Sequence, residues 1–162
     1  MDKTNDKLGK NIMTAFLLTL PNIAKVEDTD GLEGLGEYYY LDLIATRKDG
    51  KKIGIECKKR NIPSNRYGDV IIEKSKKDKA INDLRQHTYD FIVAANIFCD
   101  NVIAFDSIAR AVNDTKCRDI NKLAPRTTDG TNNDLVQKTF FSMTQTEKIA
   151  FETDGEIIYN FK

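Results

Sequence analysis

Residues 38–60 read YYYLDLIATRKDGKKIGIECKKR. The opening run, 38–46, is aromatic and β-branched, the composition of a strand. RKDGK then supplies Asp49-Gly50, a pair suited to a tight hairpin turn because glycine adopts positive φ without strain. KIGIECKKR reads as the returning strand. Side chains alternate along a strand, so Ile53 and Ile55 face one way while Gly54, Glu56 and Lys58 face the other. Asp42 stands seven residues before Asp49, and Glu56 six after Gly50. A turn centred on that pair makes the two acids near neighbours across the hairpin. Carboxylates and an ammonium on one face are costly to bury unless something pairs them.

Outward from the hairpin, the pattern predicts an α/β domain, bordering on α+β, with a central mixed sheet flanked by helices. Leu8, Ile12, Met13, Phe16, Leu17 and Leu20 recur at helical spacing and stop near Pro21. NIAKVE is a short strand, DTDGLEGLGE a glycine-rich acidic loop, NIPSNRYG a loop and DVIIE a third strand of the hairpin region. KSKKDKAINDLRQ is a helix with Ala80, Ile81 and Leu84 inward. YDFIVAANIF and NVIAFD flank Cys99-Asp100 as a hairpin, and SIARAVND is a helix capped by Ser107. NKLAPRTTDGTNND reads as a long polar loop and VQKTFFSM as a strand or short helix. TQTEKIAFE reads as a helix opened by Thr144, with Glu147 closing a capping box, and EIIYNF as a strand. No repeat or linker divides the 162 residues, so a single domain is expected.

Composition narrows the chemistry. No apolar run reaches the roughly 20 residues of a membrane span, and the N-terminus lacks the order of a signal peptide. Cys57, Cys99 and Cys117 are odd in number and lack ligand spacing, as suits free thiols in a reducing cytoplasm. His87 is the sole histidine, which argues against a histidine-rich zinc site or a Ser-His-Asp triad. Metal chemistry here must rest on oxygen ligands, favouring Mg²⁺ or Mn²⁺. Net charge is zero, yet residues 47–79 hold 12 Lys/Arg against 5 Asp/Glu. That basic middle between acidic flanks suggests a local phosphate-binding surface.

Asp42, Glu56 and Lys58 are the parts phosphodiester hydrolysis uses. Two carboxylates hold a hard divalent ion and leave positions for water and a phosphate oxygen. The ion neutralises charge and acidifies its water, while an ammonium orients that water and stabilises the transition state. An exposed cross-strand salt bridge would use the same residues, but the flanking YYYL and LIA runs place this sheet in the interior.

Asp42 followed by Glu56-Cys57-Lys58 on the returning strand resembles the PD-(D/E)xK nuclease superfamily, and the preceding helix and strand match the order of its restriction-endonuclease-like core. The resemblance spans about residues 7–108 and implies a core there, with an elaboration over 109–162. It implies a metal-dependent nuclease in which Asp42, Glu56 and the Cys57 carbonyl bind Mg²⁺ or Mn²⁺ and Lys58 serves the attacking water. RYGDVIIE with the following helix and YDF segment is similar to a subset of these enzymes, which makes Glu73, and behind it Asp69, candidate accessory acids. Two departures stand out: Leu41 replaces proline, and the first helix carries Lys7, Lys10 and Asn11 where many members have glutamate. Glu33 or Glu37 from the glycine-rich loop is the candidate substitute. Lys59, Arg60 and Arg66 flank the proposed metal as phosphate contacts, and Lys74, Lys76, Lys77 and Lys79 line the next helix.

The resulting expectation is a cytoplasmic, dimeric DNA endonuclease of restriction, resolvase-like or phage type, with specificity carried by its loops. The rival expectations are a non-catalytic nucleic-acid-binding module of the same fold, and a nuclease for RNA or a signalling nucleotide. Both rivals keep the same surface; the first does without metal.

Overall fold

The computed structural model describes residues 3–36, 39–126, 134–145, 147–151 and 157–158. The periodic apolar positions of the N-terminal segment form helix α1 (Lys3–Thr19). Its Met13, Phe16 and Leu17 are buried, each worth roughly 1.5–3 kcal/mol relative to exposure. They pack on a mixed sheet built from β1 (Ile23–Asp28), β2 (Leu43–Arg47), β3 (Lys52–Lys59), β5 (Phe91–Ile97), β6 (Val102–Ser107), β9 (Glu147–Phe151) and β10 (Ile157–Ile158), in that order across the sheet. Only β3 and β5 run parallel; every other adjacent pair is antiparallel. Parallel neighbours need a long crossover, and helix α2 (Lys74–Arg85) lies within it.

The opposite face carries α2, the short helix α3 (Ile108–Val112) and a second sheet of order β4-β8-β7. That sheet joins β4 (Asp69–Glu73), β8 (Leu135–Thr144) and β7 (Arg118–Pro125). Two apolar cores result. Ile55, Leu43, Ala95 and Ile103 meet α1 on one side. Ile44, Ile92, Ala94 and Ala104 meet Val70, Ile72, Ala80, Phe141 and Met143 on the other. The chain is a mixed α+β protein in which residues beyond 108 contribute to both sheets. Among the described residues no helix is long and apolar enough to cross a membrane.

The structure corrects several sequence expectations. The strand expected over 38–46 begins only at Leu43. Before it, the Thr29 hydroxyl and N–H donate to the Leu41 and Asp42 carbonyls. Tyr39 and Tyr40 are held instead by their hydroxyls, on Tyr89 at 2.8 Å and Asp83 at 2.6 Å. DVIIE is a strand, but it pairs with β8 rather than joining the main sheet. The polar loop expected from Asn121 onward is strand β7 as far as Pro125, because β8 provides an antiparallel partner along its full length; residues 127–133 lie outside the description. The helix expected from Thr144 is strand β9, where Ile149 pairs with Ile103 on the edge of β6. Tertiary pairing of an open sheet edge overrides the local capping signal there.

The hairpin forms as expected, but its turn centres on Asp49 rather than between Asp49 and Gly50, a shift of one residue in register that sets Asp42 directly opposite Glu56. Leu43 pairs with Ile55 and Thr46 with Lys52, across a loop of Lys48, Asp49 and Gly50. Gly50 has φ +86°, the left-handed glycine of a three-residue hairpin.

Candidate functional site

Register places the two hairpin acids opposite each other. One step beyond the Leu43–Ile55 pair, the Asp42 N–H donates to the Ile55 carbonyl at 2.9 Å, so Asp42 faces Glu56. The face is fixed by Gly54. A Cβ added there would meet Leu41 Cδ1 at 2.5 Å, with Ile92 and Tyr89 close behind; all three belong to the core beneath α2. Glu56, two residues on, shares that face.

The pair is closely held. The Cys57 N–H donates to Asp42 Oδ2 at 2.7 Å. Within a strand the N–H and C=O of one residue point to the same edge, so the Cys57 carbonyl lies on the edge that meets Asp42. Lys76 of α2 reaches Glu56 Oε1 at 2.5 Å. Glu56 Oε2 is buried without a hydrogen-bond partner. Burial raises the Asp42 carboxyl above the ordinary range, against the Cys57 N–H, Lys76, Lys10 and a side-chain hydrogen bond with Glu56, which pull it down. Burial and the neighbouring Asp42 push Glu56 up to about 7, with Lys76 opposing. Two acids in one dry place hold a proton between them unless a cation takes its position.

Lys58 follows on the Glu56 face. Burial lowers its pKa, with Asp6 and Glu56 opposing and Arg60 and Lys76 adding to the lowering. The row ends in Arg60, whose Nε donates to Asn96 Oδ1 at 2.8 Å and whose Nη2 donates to the Ile71 carbonyl at 3.1 Å. The Cys57 side chain lies on the other face, toward Gly9 of α1, and burial pushes its thiol up. Cys57, Cys99 and Cys117 are all free.

A divalent ion fits this donor set. Glu56 offers an unsatisfied buried oxygen, Asp42 stands opposite, and the Cys57 carbonyl shares the edge. Among the described residues no cluster of three or more His, Cys, Asp or Glu side chains is positioned to hold a metal. A divalent ion there would have two carboxylates and a backbone carbonyl from the chain, fewer ligands than a Mg²⁺ shell holds.

The remaining residues singled out by sequence are dispersed. Glu73 ends β4 and pairs with Lys138 at 3.6 Å; its charge acts on Lys76 without contacting the acid pair. Asp69, at the other end of β4, is bonded to the Ser142 hydroxyl. Glu33 is exposed, and Glu37 lies outside the described residues. Lys74 pairs with Asp78 at 2.6 Å and Lys77 with Asp119 at 2.9 Å. Arg66 stacks over the Tyr67 ring. Lys59 points to the α1 side, its Cβ beside Gly9. Of the helix lysines proposed for phosphate, Lys76 alone reaches the acids.

Two participants escape sequence reading. Asn96 is buried and anchors Arg60. Its signal was present: it is the one polar residue of FIVAANI, and alternation with Ile92 and Ala94 places it on the acid face. Lys10 bridges Asp28 at 2.8 Å and Asp30 at 2.7 Å and acts on Asp42 through its charge. No spacing rule connects α1 to that loop. No protein-family model, curated protein or solved structure matches this chain.

Proposed function

We propose that this protein is a metal-dependent nuclease with a restriction-endonuclease-like core of the PD-(D/E)xK kind, DNA being the favoured substrate. One observation carries the reading: Asp42 and Glu56 face each other across the hairpin on a half-buried surface, and the buried Glu56 Oε2 receives no donor from the rest of the fold. A salt bridge for stability alone would leave neither a second buried carboxylate nor an orphaned oxygen.

In this reading Asp42, Glu56 and the Cys57 carbonyl hold Mg²⁺ or Mn²⁺. When bound, the ion supplies an acidified water and neutralises charge on the phosphate. The chain's own residues do the rest. The Cys57 N–H fixes Asp42. Lys58, its ammonium made less basic by burial, orients the water and holds a proton near it. The apolar cluster that includes Leu41, Tyr89 and Ile92 borders the face that carries Glu56, and lowered polarity there strengthens each interaction.

The rival is a non-catalytic nucleic-acid-binding module of this fold. The direct Lys76–Glu56 ion pair favours it, because a permanent ion pair would keep metal out. Cleavage decides between them. Supercoiled, linear, branched and single-stranded DNA, and RNA, are incubated with and without Mg²⁺ or Mn²⁺. We expect Mg²⁺-dependent nicking that falls roughly a thousandfold or more in Glu56→Gln and roughly 10²–10⁴-fold in Lys58→Ala. Unchanged cleavage by either folded variant refutes the catalytic roles. Binding of nucleic acid equally well in EDTA, with no cleavage of any substrate, supports the module.

A further inference from the structure

We propose that Lys76 is the site's built-in substitute for the divalent ion: its ammonium holds the acid pair together without metal, and metal binding displaces it toward the scissile phosphate. This rests on the nuclease reading above and names a regulating residue of the same site.

The geometry separates Lys76 from the other cations. It comes from the first turn of α2, in the layer above the acids, whereas Lys58 comes from β3 and Arg60 from the residue that follows it. Its flanking lysines are engaged elsewhere, Lys74 on Asp78 and Lys77 on Asp119. Lys76 takes one Glu56 oxygen at 2.5 Å and leaves the other unpartnered. The same ammonium acts on Asp42 through its charge, so one cation bonded to one acid and near the second stands where a metal would, with fewer bonds than a metal makes. Its side chain is 32% exposed, against 14% for Glu56. The acid is fixed and the amine, on four rotatable bonds, has a way out to solvent. A divalent ion bound to Glu56 repels the ammonium from its present place. The ammonium then stands over the surface where an anionic substrate must approach, and a compact charge with three donors suits a phosphate oxygen. Arg60 cannot substitute, since its guanidinium is held by Asn96 and the Ile71 carbonyl.

The test is calorimetric titration with Mn²⁺ alone, without nucleic acid, at about pH 8.5 to limit proton competition. The proteins are wild type, Lys76→Met, Lys76→Gln and Lys76→Arg. Removing the competing charge should tighten Mn²⁺ binding about tenfold in both neutral variants, while Lys76→Arg stays near wild type. At saturating Mn²⁺ the neutral variants should nick more slowly, and further metal should not restore them. Equal or weaker Mn²⁺ affinity in both neutral variants, or no Mn²⁺ binding by any of the four, overturns the substitution. Full turnover at saturating Mn²⁺ overturns the handover to phosphate. Nicking that depends on Glu56 while Lys76→Met binds Mn²⁺ as wild type does sinks this inference and spares the nuclease. Tighter Mn²⁺ binding with no nicking by any variant supports the substitution, sinks the nuclease reading and takes the handover with it.

Discussion

Lys10 and Lys76 each stand beside two acids, with opposite consequences. Lys10 bridges Asp28 and Asp30, whose side chains are 51% and 74% exposed. Burial of Lys10 works against its charge, but the two hydrogen bonds and the nearby acids outweigh it and raise its pKa. Lys76 serves Glu56 beside Asp42 in the shelter of α2. There burial dominates both acids and lifts Glu56 to about 7. Lys10 bonds both of its acids in a settled surface clamp, whereas Lys76 bonds one acid of its pair and leaves the other to act on it through charge alone. Exposure makes the difference: Asp28 and Asp30 are open to solvent, whereas the buried Glu56 Oε2 meets no donor from the fold and has only the second acid beside it.

The most disruptive way to break this contrast is through the packing that keeps the pair dry. Gly54 lies under Leu41, which is 1% exposed, and an added Cβ would sit 2.5 Å from its Cδ1. Gly54→Val should cost about 2–4 kcal/mol in chemical denaturation. It should also displace the segment that carries Asp42 and weaken Mg²⁺ binding. Full stability in Gly54→Val would mean that the Leu41 contact does not set the geometry of the acids.

Titration gives a sharper and somewhat smaller effect. The folded chain binds the Glu56 proton up to about pH 7, while the unfolded chain releases it near 4.5. Between those values the folded state carries more protons, so stability falls as pH rises through the window. Glu56→Gln removes that loss. Around pH 8 the variant should be more stable than wild type by on the order of 1–3 kcal/mol, with a flatter stability profile between about pH 5 and 8. Saturating Mg²⁺ should stabilise wild type at pH 8 by about 2–3 kcal/mol at a hundred times its dissociation constant, and leave Glu56→Gln unmoved. Parallel pH profiles for the two proteins would show that Glu56 is hydrated like Asp28.

How much of this was legible beforehand follows from the range of each interaction. The hairpin and the facing of Asp42 and Glu56 follow from local rules, because turn length sets register and register sets the face. Met13, Phe16 and Leu17 follow from helical period in the same way. Lys76 was visible only as one basic residue among several on α2; its arrival at Glu56 depends on how α2 lies across the sheet, which no local spacing encodes. Glu147–Phe151 misled for a related reason. Its capping signature is real, but the unpaired edge of β6 has more to offer than a short helix in water. The second sheet was illegible as a sheet because its partners, β4 and β8, are separated by more than sixty residues.

The smallest effect tests the exposed member of the comparison. Asp28 does two things: its carboxylate accepts from Lys10, and it caps the turn at Thr29–Gly31 through the Asp30 N–H at 3.0 Å. Asparagine keeps the cap and loses the charge, so Asp28→Asn isolates the ion pair. The Asp28 side chain is half exposed and Asp30 remains as a partner for Lys10. The cost should therefore be below about 1 kcal/mol and should fade as salt is raised. Asp28→Ala removes the cap as well and should cost roughly 1 kcal/mol more. A large, salt-insensitive loss in Asp28→Asn would place the Lys10 cluster among the buried sites, and exposure would no longer be what separates it from the pair at Glu56.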